Sequence, residues 1–154
     1  MGNTRKAILD AVAREPGSSI SGLASALRIP RTTASYQLHK LEEDGLLAEL
    51  DASSKERYYA YDTPEDRLRA KARIVASNEN AVRILEYCSR RSVQSRAGIA
   101  RELGLSNPTI AWHVQRLKRL GLVSELSRRH YVTDDGRQVL TTIQQERGMK
   151  YGPV

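Results

Sequence analysis

The chain repeats itself at an interval of 76 residues, and this repeat limits the fold more than any other feature. Residues 8–50 align without a gap with residues 84–126, and 13 of the 43 aligned pairs are identical. Most of the other apolar positions keep their character, as in Leu23 and Ile99. Because repetition at a fixed interval indicates copies of one structural unit, the sequence predicts two copies of one small module.

Each copy is predicted to fold as three helices followed by a β-hairpin. In the first copy, Thr4 caps the first helix and Pro16-Gly17 ends it. The third helix begins near Arg31 and ends at Gly45, a residue type that tolerates a left-handed C-cap. The expected strands are 46–50 and 57–61, and Ser19 or Ser21 is expected to cap the second helix. The second copy is expected to have helices near 80–90, 96–103 and 107–120, and strands near 122–126 and 130–133 around the turn 127–129.

Helices are also expected between the copies and after them. Thr63-Pro64-Glu65-Asp66 combines a capping residue, a proline at the first helical position and acids in the first turn. The predicted class is mostly α with small β-hairpins, an α+β fold. Its parts are a first domain over 1–63, a linker helix over 64–78 and a second domain over 79–154. The second domain ends in a helix over 134–147, which Gly148 is expected to end.

Composition excludes several classes of protein. With a single cysteine, Cys88, the chain cannot form an internal disulfide or a thiolate zinc cage, and we expect a buried core thiol there. The three histidines are scattered one per element, so neither a metal nor a cofactor is expected. Phosphate-binding glycine loops, zinc-protease pairs and nucleophile elbows are absent from the sequence, which argues against an enzyme. Since no run is apolar and long enough to span a membrane, we expect a cytoplasmic protein.

The outward face of each third helix combines hydrogen-bonding groups, a cation and one aromatic ring. In the first copy Ala34, Leu38 and Leu41 form the stripe that faces the core, which leaves Tyr36 and Lys40 outside. Such a face suits base edges and phosphates in a major groove. The alternative is an ordinary solvated face, and the aromatic rings, Tyr36 and Trp112, are either groove contacts or covers over the rim of each module.

The order of these elements carries a family resemblance. The first copy reads Leu23-Ala24-x-x-Leu27-x-Ile29, then Thr33-Ala34-Ser35-Tyr36-x-Leu38-x-x-Leu41, then Gly45-Leu46-Leu47. The second copy repeats it from Ile99 to Val123, and 131–137 looks like a wing-to-helix junction of MarR-like proteins. The chain resembles the winged helix-turn-helix transcriptional regulators of the MarR- and ArsR-like group and is similar to archaeal proteins with two such domains.

The resemblance implies that the third helix contacts the major groove and that the wing reaches phosphates or the minor groove. The implied contacts in the first copy are Arg31, Thr32, Thr33, Ser35, Tyr36, Gln37, His39 and Lys40, with Lys55 and Arg57 on the wing. In the second copy they are Ser106, Asn107, Thr109, Trp112, His113 and Arg116, with Arg128, Arg129 and His130 on the wing.

Charge is shared unequally between the copies. Residues 1–63 hold 8 basic and 9 acidic side chains, for a net charge of −1, whereas residues 81–154 hold 13 and 6, for a net charge of +7. Affinity for DNA that does not depend on sequence follows the number of phosphates neutralised. The second copy is therefore expected to make the stronger electrostatic contact.

The function expected from these features is sequence-specific binding to double-stranded DNA in transcription regulation. The alternative is a winged-helix scaffold for protein interactions in a transcription or chromosome-associated complex, while RNA binding is disfavoured because aromatic residues make up only 5% of the chain. A homodimer is a further expectation. The apolar stripe Val139, Leu140 and Ile143 is either a dimer contact or a cover over its own module.

Overall fold

The structure is a computed structural model, which describes residues 2–50, 57–90 and 94–151. It divides the chain into two compact units, Met1–Arg73 and Ile74–Val154. The boundary falls within the helix that the sequence predicts between the two copies. Among the described residues, no helix has the length and apolar character needed to cross a bilayer.

The first unit contains three helices, a small sheet and the greater part of a fourth helix. Its elements are α1 (Gly2–Arg14), β1 (Ser18–Ser19), α2 (Ile20–Leu27), α3 (Arg31–Glu43), β2 (Leu47–Leu50), β3 (Tyr58–Tyr61) and the first ten residues of α4 (Pro64–Ala76). The sheet is antiparallel with the order β1-β3-β2, and its register sets Leu47 opposite Tyr61. Thr63 caps α4, as predicted, since its hydroxyl accepts a hydrogen bond from the Asp66 amide at 3.2 Å.

The second unit repeats this order after the end of α4. Its elements are α5 (Glu79–Arg90), β4 (Gln94–Ser95), α6 (Arg96–Leu103), α7 (Asn107–Arg119), β5 (Val123–Leu126), β6 (Arg129–Val132) and α8 (Asp134–Tyr151). The sheet is again antiparallel, with the order β4-β6-β5. These elements confirm the predicted class, mostly helical with a small sheet in each unit.

One short strand in each unit was not predicted, and two local predictions are wrong. Each hairpin is joined by a third strand of two residues, β1 or β4, which the sequence does not reveal because two residues show no alternation. Thr4 lies inside α1 rather than at its cap, because the helix penalty of threonine is smaller than the gain from a longer helix. Helix α8 continues past Gly148 to Tyr151, since a glycine costs about 1 kcal/mol in a helix without breaking it.

Each unit has its own core, centred on its third helix. Ala34, Leu38 and Leu41 of α3 are fully buried, as the predicted stripe requires. In the second unit, Ile110, Val114 and Leu117 of α7 are buried in the same way. Fixing these stripes inside each unit places the opposite faces of α3 and α7 at the surface.

Helix α8 packs on its own unit. Val139, Leu140 and Ile143 are buried there, and α8 contacts α5 and β6. Of the two alternatives for this stripe, the cover over its own module is therefore the one that the structure supports. The start of α8 is held by Thr133, whose hydroxyl donates to the Gly121 carbonyl at 2.7 Å and accepts from the Gly136 amide at 3.1 Å.

The first turn of α8 predicts a strong effect of one added methyl group. A Cβ on Gly136 would collide with the carbonyl oxygen of Leu122 and lie 2.7 Å from Cγ1 of Val132. We expect Gly136→Ala to lower the free energy of unfolding by roughly 1–3 kcal/mol, as overpacking does. Gly148→Ala is the matched control in the same helix, because a Cβ there meets nothing within 4 Å. Urea unfolding followed by circular dichroism measures both, and equal effects would contradict the prediction.

The buried thiol predicts slow chemistry in the folded state. Cys88 is fully buried, as the sequence predicts, and burial raises the pKa of its thiol to about 11. At pH 8 the thiol then outnumbers the reactive thiolate roughly a thousandfold. We expect an aromatic disulfide reagent to modify Cys88 slowly in buffer and rapidly in denaturant, with the release of the coloured thiol as the measurement. Fast stoichiometric modification of the folded chain would show that this thiol is accessible.

Candidate nucleic-acid interface

A tight left-handed turn precedes each third helix and sets its angle to the second helix. Arg28 (φ 54°) and Gly104 (φ 67°) occupy equivalent positions at the ends of α2 and α6. The next amide in each copy, from Ile29 or Leu105, returns to a carbonyl of the preceding helix at 3.0–3.1 Å. Both units thus contain the same helix-turn-helix geometry, with the outer faces of α3 and α7 exposed.

The two helices begin differently. Ser106 caps α7, since its hydroxyl accepts from the Thr109 amide at 3.3 Å and lies 2.8 Å from the Thr109 hydroxyl. Helix α3 begins after Pro30, which makes no side-chain cap. Arg31, the first residue of α3, instead bonds to the hydroxyl of Ser21. The two ends therefore expose different sets of polar groups.

Most of the candidates in the first unit lie at the surface. Arg31, Thr32, Ser35, Tyr36, His39, Lys40 and Arg57 are exposed, and Thr33 and Gln37 are half-buried. Tyr36 is 60% exposed, so it is not a core residue. Lys55, the other wing candidate, lies outside the described residues.

Carboxylates neutralise much of the positive charge on this face of the first unit. Glu43 lies 3.0 Å from the His39 ring and 3.7 Å from the Lys40 ammonium. On the wing, Arg57 lies 3.5 Å from Glu49. Partial burial raises the pKa of Glu49, while Arg57 opposes that shift. In the described part of the first unit, Lys40 and Arg57 thus have carboxylate partners, whereas Arg31 bonds to the Ser21 hydroxyl.

In the second unit the candidates divide into two groups. Ser106, Asn107, Trp112, Arg128 and Arg129 are exposed, and Thr109 and Arg116 are half-buried. His113 and His130 are only 5% and 1% exposed, so the prediction that they lie on the outward surface is wrong. His113 follows Trp112 by 100° around the helix, which turns its ring toward the side of Val114.

Strand register explains the position of His130. It lies opposite Glu125, 3.0 Å from that carboxylate, whereas its neighbours Arg129 and Tyr131 face outward. Burial lowers the pKa of both histidines. Arg116 adds to the effect on His113, and Glu125 opposes it at His130. Both rings therefore favour the neutral form at neutral pH, and neither belongs to the exposed cationic surface.

The second wing has a two-residue turn, Ser127 and Arg128, and Arg129 is the first residue of the strand that follows. Ser127 and Arg128 both have positive φ, 51° and 65°, the geometry of a type I′ hairpin turn. Leu126 pairs with Arg129 across the strands and is 66% exposed. The outward face of this wing therefore combines cations with an apolar side chain, a feature absent from the sequence-based site.

An aromatic–cation pair recurs in both units and was also missed from the sequence. The Lys40 ammonium lies 5.8 Å from the centroid of the Tyr36 ring, and the Arg116 guanidinium lies 5.5 Å from that of Trp112. In each pair the cation follows the ring by four residues in one helix, and the two pairs occupy equivalent positions of the repeat. Cation–π attraction of this kind restrains both side chains. The i, i+4 spacing of an aromatic and a cation was the available signal.

Known proteins support the assignment of both units. A family model described as a helix-turn-helix domain matches residues 3–49 and 76–125, one segment in each unit. A protein of Methanocaldococcus jannaschii, named an uncharacterized HTH-type transcriptional regulator, is 26% identical over 123 residues. That match covers 80% of this chain but 30% of the relative, so the chain spans less than a third of the relative's length. Since the family model matches more than half of the residues, the chain belongs to this helix-turn-helix domain family and carries the domain twice.

Proposed function

We propose that the chain is a transcriptional regulator that binds a specific sequence of double-stranded DNA at a promoter. The observation that carries the proposal is the recurrence, on an exposed third helix in each unit, of an aromatic ring beside a cation. Rings and cations at the outer face of a recognition helix suit base edges and phosphates. A cytoplasmic location, with access to promoter DNA, belongs to the same proposal.

The second unit supplies most of the electrostatic attraction in this proposal. The last turn of α7 carries Arg116, Lys118 and Arg119, of which Lys118 lies 3.8 Å from Glu125. Arg128 and Arg129 stand at the tip of the wing. Among the described residues, no carboxylate forms an ion pair with either wing arginine. Cations that are not neutralised within the protein release counterions when they meet phosphates, which favours binding.

The first unit has a different role in the proposal. Because Lys40 and Arg57 are paired with Glu43 and Glu49, the first unit gains less from phosphates and contributes through hydrogen bonds and shape. Two linked modules also bind more tightly than one, since seating the first raises the effective concentration of the second. One chain therefore contributes two recognition helices without a partner subunit.

The paired charges of the first unit are also the observation that favours a protein-interaction scaffold. A surface with little unbalanced charge suits a protein partner better than a polyanion. The two functions differ in what the second wing does, because a scaffold has no use for phosphate contacts there.

Substitution of the wing arginines tests the DNA-binding part of the proposal. We expect Arg128→Ala/Arg129→Ala to weaken binding to a labelled random-sequence duplex about tenfold. We also expect the salt dependence to weaken: the slope of log affinity against log salt concentration becomes less negative by about 1–2, since two phosphate contacts are lost. Fluorescence anisotropy at salt concentrations from about 50 to about 200 mM measures the affinity and its salt dependence.

Arg57→Ala is the matched control in the first wing. Because Glu49 neutralises Arg57, its loss is expected to change affinity by less than about twofold. Equal affinity and equal salt slope in the wild-type and double-arginine variants would remove the second wing from the DNA interface and favour the scaffold.

Sequence specificity needs a separate measurement. We expect repeated selection by the full-length chain from a pool of random duplexes to enrich one motif. A specific site is expected to bind at least about a thousandfold more tightly than unrelated DNA at physiological salt. Binding without enrichment of any motif would leave a DNA-binding protein without sequence specificity.

A further inference from the structure

A cleft lies at the start of α7, on the surface assigned above to DNA. It is lined by Pro108, Thr109, Trp112 and His113 and has a volume of about 300 Å³. The residues at the N-terminal end of a recognition helix are those that reach base edges in helix-turn-helix complexes. The cleft is therefore in the part of the second unit that is expected to face bases.

The lining of the cleft is mainly apolar: Pro108 and Thr109 offer it few polar groups, and Nδ1 of His113 is buried away from the surface. Pro108 has no amide hydrogen to donate. The hydroxyl of Thr109 lies 2.8 Å from that of Ser106. The methyl group is therefore the part of Thr109 that remains for an apolar contact. Trp112, at 54% exposure, contributes a large aromatic surface.

The shape of the cleft is fixed by contacts of the Trp112 ring. The Arg116 guanidinium lies 5.5 Å from the ring centroid, and the buried ring of His113 meets it edge-on, with centroids 4.9 Å apart and an interplanar angle of 86°. Nδ1 of His113 has no hydrogen-bond partner among the described residues. These ring contacts position Trp112 as one side of this shallow cleft.

The equivalent positions of the first unit have a different chemistry. Thr32 replaces Pro108, Tyr36 replaces Trp112 and Gln37 replaces His113. These residues add hydroxyl and amide groups where the second unit has a proline ring, an indole and an imidazole. The second unit is therefore the one suited to an apolar group.

We propose that the cleft receives the C5-methyl group of a pyrimidine in the major groove, which is thymine in unmodified DNA. This inference rests on the proposed function. The thymine methyl is the apolar group that base pairs present in the major groove, and proteins read it by apolar contact. The second unit thus distinguishes T·A pairs through Trp112 and Pro108, in addition to any hydrogen-bond readout.

Replacement of thymine by deoxyuridine tests this contact, because it removes the methyl group and leaves base pairing unchanged. The probe is the duplex that the full-length chain enriches from random sequence, with each thymine replaced singly by deoxyuridine. We expect replacement at one or two adjacent positions to weaken binding about threefold to tenfold, the effect of one buried methyl group. Trp112→Ala is expected to remove this dependence, so that it binds the thymine and deoxyuridine duplexes equally.

Two further variants separate the cleft from general effects. Tyr36→Ala, the equivalent change in the first unit, is expected to keep the deoxyuridine effect at those positions. Pro108→Thr introduces the residue of the first unit and is expected to reduce the effect while leaving the ring of Trp112 in place. Since Pro108 is exposed, this variant also serves if Trp112→Ala does not fold, which thermal unfolding by circular dichroism determines.

A methylated cytosine could supply the same group, and a second arm distinguishes it. Each cytosine of the selected duplex is replaced by 5-methylcytosine, and tighter binding at one position, lost in Trp112→Ala, would assign the cleft to that base. One buried methyl group is expected to change affinity more than about twofold. If neither replacement reaches that change, the inference is overturned while the proposed function stands. If selection enriches no motif, specificity and this inference fail together.

Discussion

The burial of one stripe on each third helix is the constraint on which the surface of both units depends. Ala34, Leu38 and Leu41 are fully buried, so α3 can rotate very little without opening a cavity. The left-handed residue before α3 fixes its angle to α2. With rotation and angle both set, Tyr36 is held at the surface. The same reasoning applies to α7 and Trp112, which explains why the equivalent positions 36 and 112 are exposed in both units.

The two units share this core geometry but differ in how their charges are balanced. In the first unit, Glu43 lies beside both His39 and Lys40. Its equivalent in the second unit is Arg119, so the end of the helix changes from acidic to basic. Surface positions can diverge in this way because they contribute little to packing, whereas the buried stripes keep their apolar character. A duplicated module thus provides one framework with two electrostatic surfaces.

Much of the fold could be predicted because it depends on local signals. Helical periodicity and the caps Ser19 and Thr63 locate the helices to within a few residues. Strands β1 and β4 could not be predicted, since their pairing arises from tertiary contacts. The position of His130 depends on the strand register, which the two-residue turn sets. The sequence predicted a turn of three residues, 127–129, and so did not give this register. A register change of one residue reverses the face of every side chain in a strand.

One carboxylate of the second unit lies near both α7 and the second strand of the wing. Glu125 of β5 lies 3.8 Å from the ammonium of Lys118 on α7 and 3.0 Å from the ring of His130 on β6. In the first unit the corresponding Glu49 forms its ion pair within the wing, with Arg57. The carboxylate of the hairpin thus has its nearest cation on α7 in the second unit and within the wing in the first. Because Glu125 lies beside Lys118 and His130, neither Arg128 nor Arg129 has a carboxylate partner among the described residues, and the tip of the second wing keeps its positive charge.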